Sequence, residues 1–328
     1  MTAQQDLDLS ASASSAANLS VAVLVPCYNE EAAIAGVVSG FKAALPDAAI
    51  YVYDNNSTDR TCEIAAAAGA IVRRETQQGK GYVVRRMFAD VEADVYVLVD
   101  GDGTYDATRA PVLIHQLLSA GLDLVNVARS GDSDAVHRRG HRLGNRVLSG
   151  IVASIFGNRF SDMLSGYKIF SRRFVKSFPA LSSGFEIETE LTVHALELSM
   201  PLAEETARYS ERPSGGESKL STVRDGIRIL RTIAVFVKEE RPLKFFAAVA
   251  ALIAFAAGVL IWPVIGTYLE TGLVPRMPTA VLSMGLMILA ALTFTAGLIL
   301  DTVTRGRREA KRMRYLSIEA PHGRYESQ

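Results

Sequence analysis

Cysteine is scarce: the 328 residues include Cys27 and Cys62 and no others. Two thiols at that spacing make neither a disulfide framework nor a zinc site, and both are expected as reduced, buried thiols of a cytosolic domain. Lysine and arginine are absent from residues 1–19, a stretch rich in Ala, Ser, Asp and Gln. A secretory signal needs a basic start and an apolar core. The stretch is therefore expected to be a disordered tail ahead of a cytosolic domain. Net charge is also missing, with 35 basic residues against 35 acidic ones. Nucleic-acid-binding domains are usually basic, so nucleic acid is not expected as a partner.

Charge is absent again from two long runs, Phe245–Tyr268 and Met277–Leu300. Each would extend about 36 Å as a helix, against a hydrocarbon core of about 30 Å. Both are expected to cross a membrane, with Trp262 and Tyr268 near one interface. The connection Glu270–Arg276 carries a single basic residue, Arg276, whereas Arg305, Arg307, Arg308, Lys311, Arg312 and Arg314 follow the second run. Lys238, Arg241 and Lys244 border the start of the first. The excess of positive charge places the large N-terminal part and the C-terminal tail in the cytoplasm and the connection outside. Just before the first run, Val223, Ile227, Leu230, Ile233 and Val237 repeat at helical spacing, with Arg224, Arg228 and Arg231 on another face. That pattern predicts an amphipathic helix lying in the membrane interface.

From Val21 onward, short apolar runs alternate with helical patterns. Strands are predicted at Val21–Pro26, Ile50–Tyr53, Ile71–Arg73, Val95–Val99 and Leu124–Val127. Helices are predicted at Glu30–Ala44, Thr58–Ala68, Gly81–Val91 and Thr108–Ala120. Such alternation predicts an α/β domain with a mostly parallel sheet. Ligands of such sheets bind beyond the carboxyl ends of the strands, where three polar clusters stand: Pro26–Glu31, Asp54–Asp59 and Asp100–Gly103. Asp59 also reads as a plain helix cap. In the third cluster Asp100 and Asp102 flank a glycine, so both carboxylates can converge on one hard divalent cation. Mg²⁺ typically takes one or two carboxylates and completes its shell with water and substrate phosphate oxygens. Gln78-Gly79-Lys80-Gly81 opens a helix, where glycines let the backbone approach a phosphate and Lys80 adds a point charge.

VPCYNEE, YDNNSTDRT and VDGDGTYD, at successive strand ends, resemble the GT-A fold of family 2 glycosyltransferases; the third is that family's D-x-D motif. The similarity covers about residues 20–220. Within the family the chain resembles the polyprenyl-phosphate branch, which includes dolichyl-phosphate mannose synthases and bacterial undecaprenyl-phosphate glucosyltransferases. The narrower match lies in Ser161–Lys168, Gly184-Phe185-Glu186 and Arg212–Lys219, and in the two apolar runs. The branch often has Arg where this chain has Lys168, and many relatives have Asp and Gly where it has Asn55 and Asn56.

The resemblance implies that Pro26, Asn29, Glu30, Asp54 and Asn56 line the nucleotide pocket with Lys80. Asp54 has a physical reason to be there, since a carboxylate accepts the imide N–H of uracil or the paired N–H groups of guanine. Asp100 and Asp102 would hold Mg²⁺ or Mn²⁺ against the donor diphosphate. Asp162, Ser165, Gly166, Glu186 and Glu190 resemble the sugar and acceptor side, with Glu188 an equal candidate for its functional carboxylate. An acceptor phosphate needs cations rather than a strong base, and arginine grips phosphate bidentately. Arg129 and Arg142 are therefore expected in the catalytic set beside Asp100 and Asp102. Arg138, Arg139, Lys168, Arg212 and Lys219 complete the expected acceptor-phosphate group, with Arg146 near them.

The expected organisation is a disordered tail (1–19), a GT-A catalytic domain (20–220), an amphipathic juxtamembrane helix (221–242), two transmembrane helices (243–303) and a basic cytoplasmic tail (304–328). The expected activity is inverting transfer of a monosaccharide to polyprenyl phosphate at the cytoplasmic face of the membrane. UDP-hexose is the first candidate donor and GDP-mannose the second. Expected partners are the nucleotide-sugar, polyprenyl phosphate (undecaprenyl phosphate first), membrane lipids and further copies of the chain, up to a tetramer. Two alternatives stand beside this reading: a transferase extending a glycolipid or polysaccharide, and a non-catalytic GT-A membrane scaffold.

Overall fold

The computed structural model describes residues 19–130, 160–184, 186–210, 238 and 241–320. These divide between two compact units, one containing residues up to 220 and from 311 onward, the other residues 221–310.

The first unit is built on a seven-stranded sheet of order β3-β2-β1-β4-β6-β5-β7. Its strands are β1 (Val21–Cys27), β2 (Ala49–Asp54), β3 (Ile71–Arg74), β4 (Val95–Leu98), β5 (Leu124–Ser130), β6 (Lys168–Ser171) and β7 (Leu202–Arg208). The central strands β1 and β4 are near-continuous runs of Val, Leu, Ala and Tyr and are buried, as strands covered on both faces must be. The edge strand β3 is short, largely exposed and ends in Arg73 and Arg74, which suits an unpaired edge. β1 to β4 run parallel. β6 enters antiparallel between β4 and β5, and β7 pairs parallel with β5. The sheet is thus mostly parallel, as predicted, with one reversed strand that the alternation pattern did not show.

The helices are α1 (Ile34–Ala44), α2 (Thr61–Ala67), α3 (Lys80–Asp90), α4 (Ala110–Ser119), α5 (Arg172–Ser177) and α6 (Ile187–Glu197). α1 buries Ile34, Val37, Val38 and Phe41, the i, i+3, i+4, i+7 stripe of a helix on a sheet. It starts later than predicted, because the N–H groups of Ala33 and Ile34 both close onto the Glu30 carbonyl in a turn. α2 also starts late, since Asp59 holds the turn ahead of it by accepting the Thr61 N–H at 3.0 Å. β5 runs three residues beyond its predicted end. Arg129, expected after the strand, therefore lies on it, opposite Ala207 of β7.

The second unit holds most of two long helices, α7 (Pro242–Thr271) and α8 (Met277–Leu316). Both are long and apolar enough to cross a membrane, and large side chains such as Trp262 and Leu269 point outward, each 78 % exposed. Gly272 closes α7 at φ 72°, donating its N–H to the Tyr268 carbonyl at 2.8 Å. Residues 305–316, expected as part of a basic tail, continue α8. The end of that helix belongs to the first unit: Lys311 pairs with Glu197 at 2.8 Å, and the Tyr315 hydroxyl donates to the buried Asp123 at 2.7 Å. Arg173 grips the same carboxylate and lies over the Tyr315 ring.

The predicted amphipathic helix at 221–242 falls outside the described residues, apart from Lys238, Arg241 and Pro242. So do Arg138, Arg139, Arg142, Arg146, Arg212 and Lys219.

Candidate active site

Strand directions assemble the site. The carboxyl ends of β1, β2 and β4 share one edge of the sheet, and the reversed β6 begins at that edge. The pairing of Leu98 with Lys168 brings the residues after β4 beside those before β6, and so Asp100 beside Gly166. The contact is close enough that a Cβ on Gly166 would collide with the Asp100 carboxylate. A side chain at 166 would therefore have to displace the Asp100 carboxylate. On the next strand over, Arg129 ends β5 at the same edge.

Asp100 and Asp102 differ in surroundings. Asp102 is buried and folds its own turn, accepting the Thr104 N–H at 3.2 Å and hydroxyl at 2.6 Å. Asp100 faces a cation of the chain itself. The Lys80 ammonium donates to Asp100 Oδ1 at 2.5 Å and also to Glu188 Oε1. Burial alone would lower the Lys80 pKa, but the two carboxylates outweigh it and hold the ammonium protonated. Glu188 is likewise buried, which pushes its own pKa up against the pull of Lys80. Of the three glutamates considered from the sequence, Glu188 is the one at this centre. Glu190 instead accepts the backbone N–H groups of Leu181 and Ser182 at 2.9 and 2.8 Å. Glu186 lies half-buried against Gly184.

Arg129 forms the second charged centre. Its Nε and Nη2 donate to the two oxygens of Asp162 at 2.7 and 2.9 Å, and Asp162 also accepts the Arg129 N–H at 3.2 Å. Burial opposes both charges, yet the pair prevails: the Arg129 pKa is raised and that of Asp162 lowered. The guanidinium stands 5.7 Å from the centroid of the Tyr209 ring. Tyr209 packs edge-on against Tyr105, whose hydroxyl accepts the Gly166 N–H at 2.8 Å. Tyr105 thereby links the D-x-D loop to the β6 entry, and burial with the nearby Asp100 charge raises its pKa. Ser165 donates to the Val127 carbonyl at 2.5 Å and anchors the same entry to β5.

The clusters after β1 and β2 are knitted together. Asn29, at φ 54°, donates its N–H to Ser57 Oγ at 2.9 Å and accepts the Thr58 N–H at 2.8 Å. The Glu30 N–H donates to Thr61. Asn55 accepts the Gly79 N–H at 2.7 Å and donates to the carbonyls of Glu75 and Gln77. Asn56 reaches the Thr76 carbonyl and Gln78. The two asparagines thus tie the second cluster to the loop that opens α3. Pro26, Asn29, Glu30 and Asn56 are each partly exposed along this edge.

Residues 22–178 match the family described as Glycosyl transferase family 2. Glycosyltransferase AglJ of Haloferax volcanii is 36 % identical over 231 residues, 70 % of this chain and 76 % of that protein. The chain is a family 2 glycosyltransferase. It is also similar to the dolichyl-phosphate hexose transferase of Haloferax volcanii, 28 % identical over 221 residues that make up 67 % of this chain and 95 % of that protein. Among solved structures, glucosyl-3-phosphoglycerate synthase from Mycobacterium tuberculosis, in complex with Mn²⁺ and UDP-glucose, aligns with a TM-score of 0.56 at 24 % identity. That alignment covers 68 % of this chain and 79 % of that one, and the likeness is one of fold.

Three expectations about this glycosyltransferase need correction. Lys168, expected at the acceptor phosphate, is fully buried, because it sits in the middle of the sheet on β6. Its ammonium donates to Asn126 Oδ1 and, at 3.4 Å, to the Met163 carbonyl; burial lowers its pKa to about 8. Asp54, expected to accept a base N–H, is 0 % exposed. It accepts the Ser57 N–H at 3.1 Å and pairs with Arg74 at 3.4 Å, so in this form its carboxylate shapes the turn. The glycines around Lys80 serve the protein's own backbone: Cβ atoms at Gly79 and Gly81 would strike the carbonyls of Ser183 and Ser182, and the Gly81 N–H donates to Ser183 at 3.1 Å.

The transferase's donor atoms suit a hard divalent cation. Asp100 and Asp102 offer carboxylate oxygens, and Asp100 already holds an ammonium at contact distance. Among the described residues no group of three or more His, Cys, Asp or Glu is arranged to hold a metal ion. Two carboxylates that leave the rest of the shell to substrate oxygens and water are the arrangement expected of Mg²⁺ or Mn²⁺ with a diphosphate.

Proposed function

We propose that this glycosyltransferase moves a hexose from a nucleotide-sugar, UDP-hexose before GDP-mannose, to polyprenyl phosphate at the cytoplasmic face of a membrane, with inversion at the anomeric carbon. The observation that carries the reading is that the Asp100 carboxylate and the Asp162-held Arg129 guanidinium stand at one edge of the sheet, linked through Gly166, Tyr105 and Tyr209. The first suits a metal-bound diphosphate and the second an anionic acceptor. The dolichyl-phosphate hexose transferase relative and the two apolar helices support a lipid-linked acceptor.

The acceptor phosphate is already anionic at neutral pH, so no side chain must remove a proton. Arg129, its planar fork aimed by Asp162, binds the phosphate and orients one oxygen toward the anomeric carbon. That oxygen forms the new C1–O bond as the bond from C1 to the donor diphosphate breaks, and the electron pair leaves with the nucleoside diphosphate. Asp100 and Asp102 would hold a divalent cation, whose chemistry would be to offset the negative charge of the leaving diphosphate. Pro26, Asn29, Glu30 and Asn56 border the nucleotide, and Tyr105 and Gly166 keep Asp100 in register. Arg138, Arg139, Arg142, Arg212 and Lys219 are proposed as further cations for the acceptor side. We place the catalytic unit and both termini in the cytoplasm.

Membranes containing the wild-type chain or Asp102→Asn, given polyprenyl phosphate and a panel of nucleotide-sugars, test this reading by mass spectrometry of the lipid products. The wild type should yield a glycosyl polyprenyl phosphate with one donor, and Asp102→Asn none with Mg²⁺ or Mn²⁺ present. An Asp102→Asn variant as active as the wild type contradicts the metal assignment.

A further inference from the structure

The cation at Asp100 has no counterpart in the reading above. Lys80 opens α3 and Glu188 lies in the first turn of α6, and α3 is tied to the loop ahead of α6 through the Gly81 N–H on the Ser183 carbonyl. The Lys80 ammonium, its side chain 9 % exposed, lies between two carboxylates. Glu188 is 6 % and Asp100 30 % exposed in their side chains, so Asp100 is the more open of the pair. One buried ammonium between two carboxylates leaves a net negative charge, and an unpaired buried charge is costly.

We propose that Lys80 is a built-in cation of the metal site: its ammonium neutralises and positions Asp100 while no divalent ion is bound, and Glu188 is the positioning residue that draws it away when an ion arrives. This rests on the reading of Asp100 and Asp102 as the metal-holding carboxylates. An incoming cation meets Asp100 already paired, and one favourable response is for the ammonium to shift its weight to Glu188, which remains beside it. Glu188 therefore weakens the hold of the ammonium on Asp100 and favours binding of the ion.

The two partners then act in opposite directions on metal affinity. In Lys80→Met, Asp100 and Glu188 are both left without the ammonium and attract an ion more strongly. In Glu188→Gln, Lys80 has Asp100 alone and competes harder with the ion. The test is Mn²⁺ binding by electron paramagnetic resonance of the free ion, with UDP present and no acceptor, on the purified full chain in detergent. Lys80→Met should bind Mn²⁺ at least about tenfold more tightly than wild type, and Glu188→Gln several-fold more weakly, as expected of a unit charge moved at contact distance. Changes in the same direction, or no change in either, overturn the proposal while leaving the metal assignment intact. Should Lys80→Met fail to fold, Glu188→Gln decides alone, and unchanged or tighter binding there overturns it. If Asp102→Asn binds Mn²⁺ as well as wild type, the metal assignment itself fails and the proposal with it.

Discussion

Gly166 presses its backbone so closely on Asp100 that a methyl group there would overlap the carboxylate. The closeness follows from the pairing of β4 with the reversed β6, and it makes glycine at 166 part of the site rather than of a loop. Gly166→Ala should displace Asp100, and a shift of about 1 Å in reacting geometry can cost on the order of a hundredfold in rate. Turnover at saturating donor should fall by that order while thermal melting changes little. Turnover within twofold of wild type would show that the position of Asp100 is not needed.

Arg129 and Asp162 form a bidentate pair at 2.7 and 2.9 Å. Charge-assisted hydrogen bonds contribute about 1.5–3 kcal/mol each, so losing one to the acceptor should weaken its use roughly tenfold to a hundredfold. Arg129→Ala should raise the apparent KM for polyprenyl phosphate by that factor, with nucleotide affinity by calorimetry nearly unchanged. Arg129→Lys should not restore it, since lysine lacks the planar fork. Weakened nucleotide binding with normal acceptor kinetics would move Arg129 to the donor side.

Much of this site was legible in the sequence, and the misses share a cause. The three clusters at strand ends, the glycine between Asp100 and Asp102, and the strand–helix alternation are local patterns, and they lie where the alternation put them. What escaped depends on partners far along the chain. Nothing near Glu188 distinguishes it from Glu186 or Glu190; only Lys80, more than a hundred residues away in sequence, does so. Gly79 and Gly81 read as a phosphate-binding loop until Ser182 and Ser183 fill the space beside them. Lys168 reads as a surface cation unless the reversed strand that buries it is known. Tyr105 could have been noticed in VDGDGTYD, but its task is set by Gly166 and Tyr209.

Lys168 carries a pH signature. Its pKa in the folded protein, about 8, lies below the ordinary lysine value of 10.5. Between those values the unfolded chain binds the proton and the folded chain does not, so the contribution of this site to stability rises with pH. Below pH about 8 the cost of burying the charge is present in full. The apparent Tm of the purified protein should therefore gain between pH 8 and 10 relative to Lys168→Met, in which that gain is lost. Parallel Tm curves for the two proteins would show that Lys168 titrates normally.

The proposed cytoplasmic side for the catalytic unit rests on the basic residues that follow Leu300 against the single Arg276 in the connection. A cysteine from Leu273→Cys should react with an impermeant thiol reagent in intact cells, and one from Ser317→Cys should react only after lysis. The opposite pattern would reverse the topology.

The reaction itself is tested most directly by what leaves the donor. Purified protein in detergent, given UDP-glucose or the donor selected from the panel, polyprenyl phosphate and Mn²⁺, should release one nucleoside diphosphate for each glycosyl polyprenyl phosphate formed, and none when the acceptor is the unphosphorylated polyprenol. Equal transfer to the unphosphorylated polyprenol, or a product in which the sugar sits on an existing glycan while polyprenyl phosphate is left unused, would contradict the account.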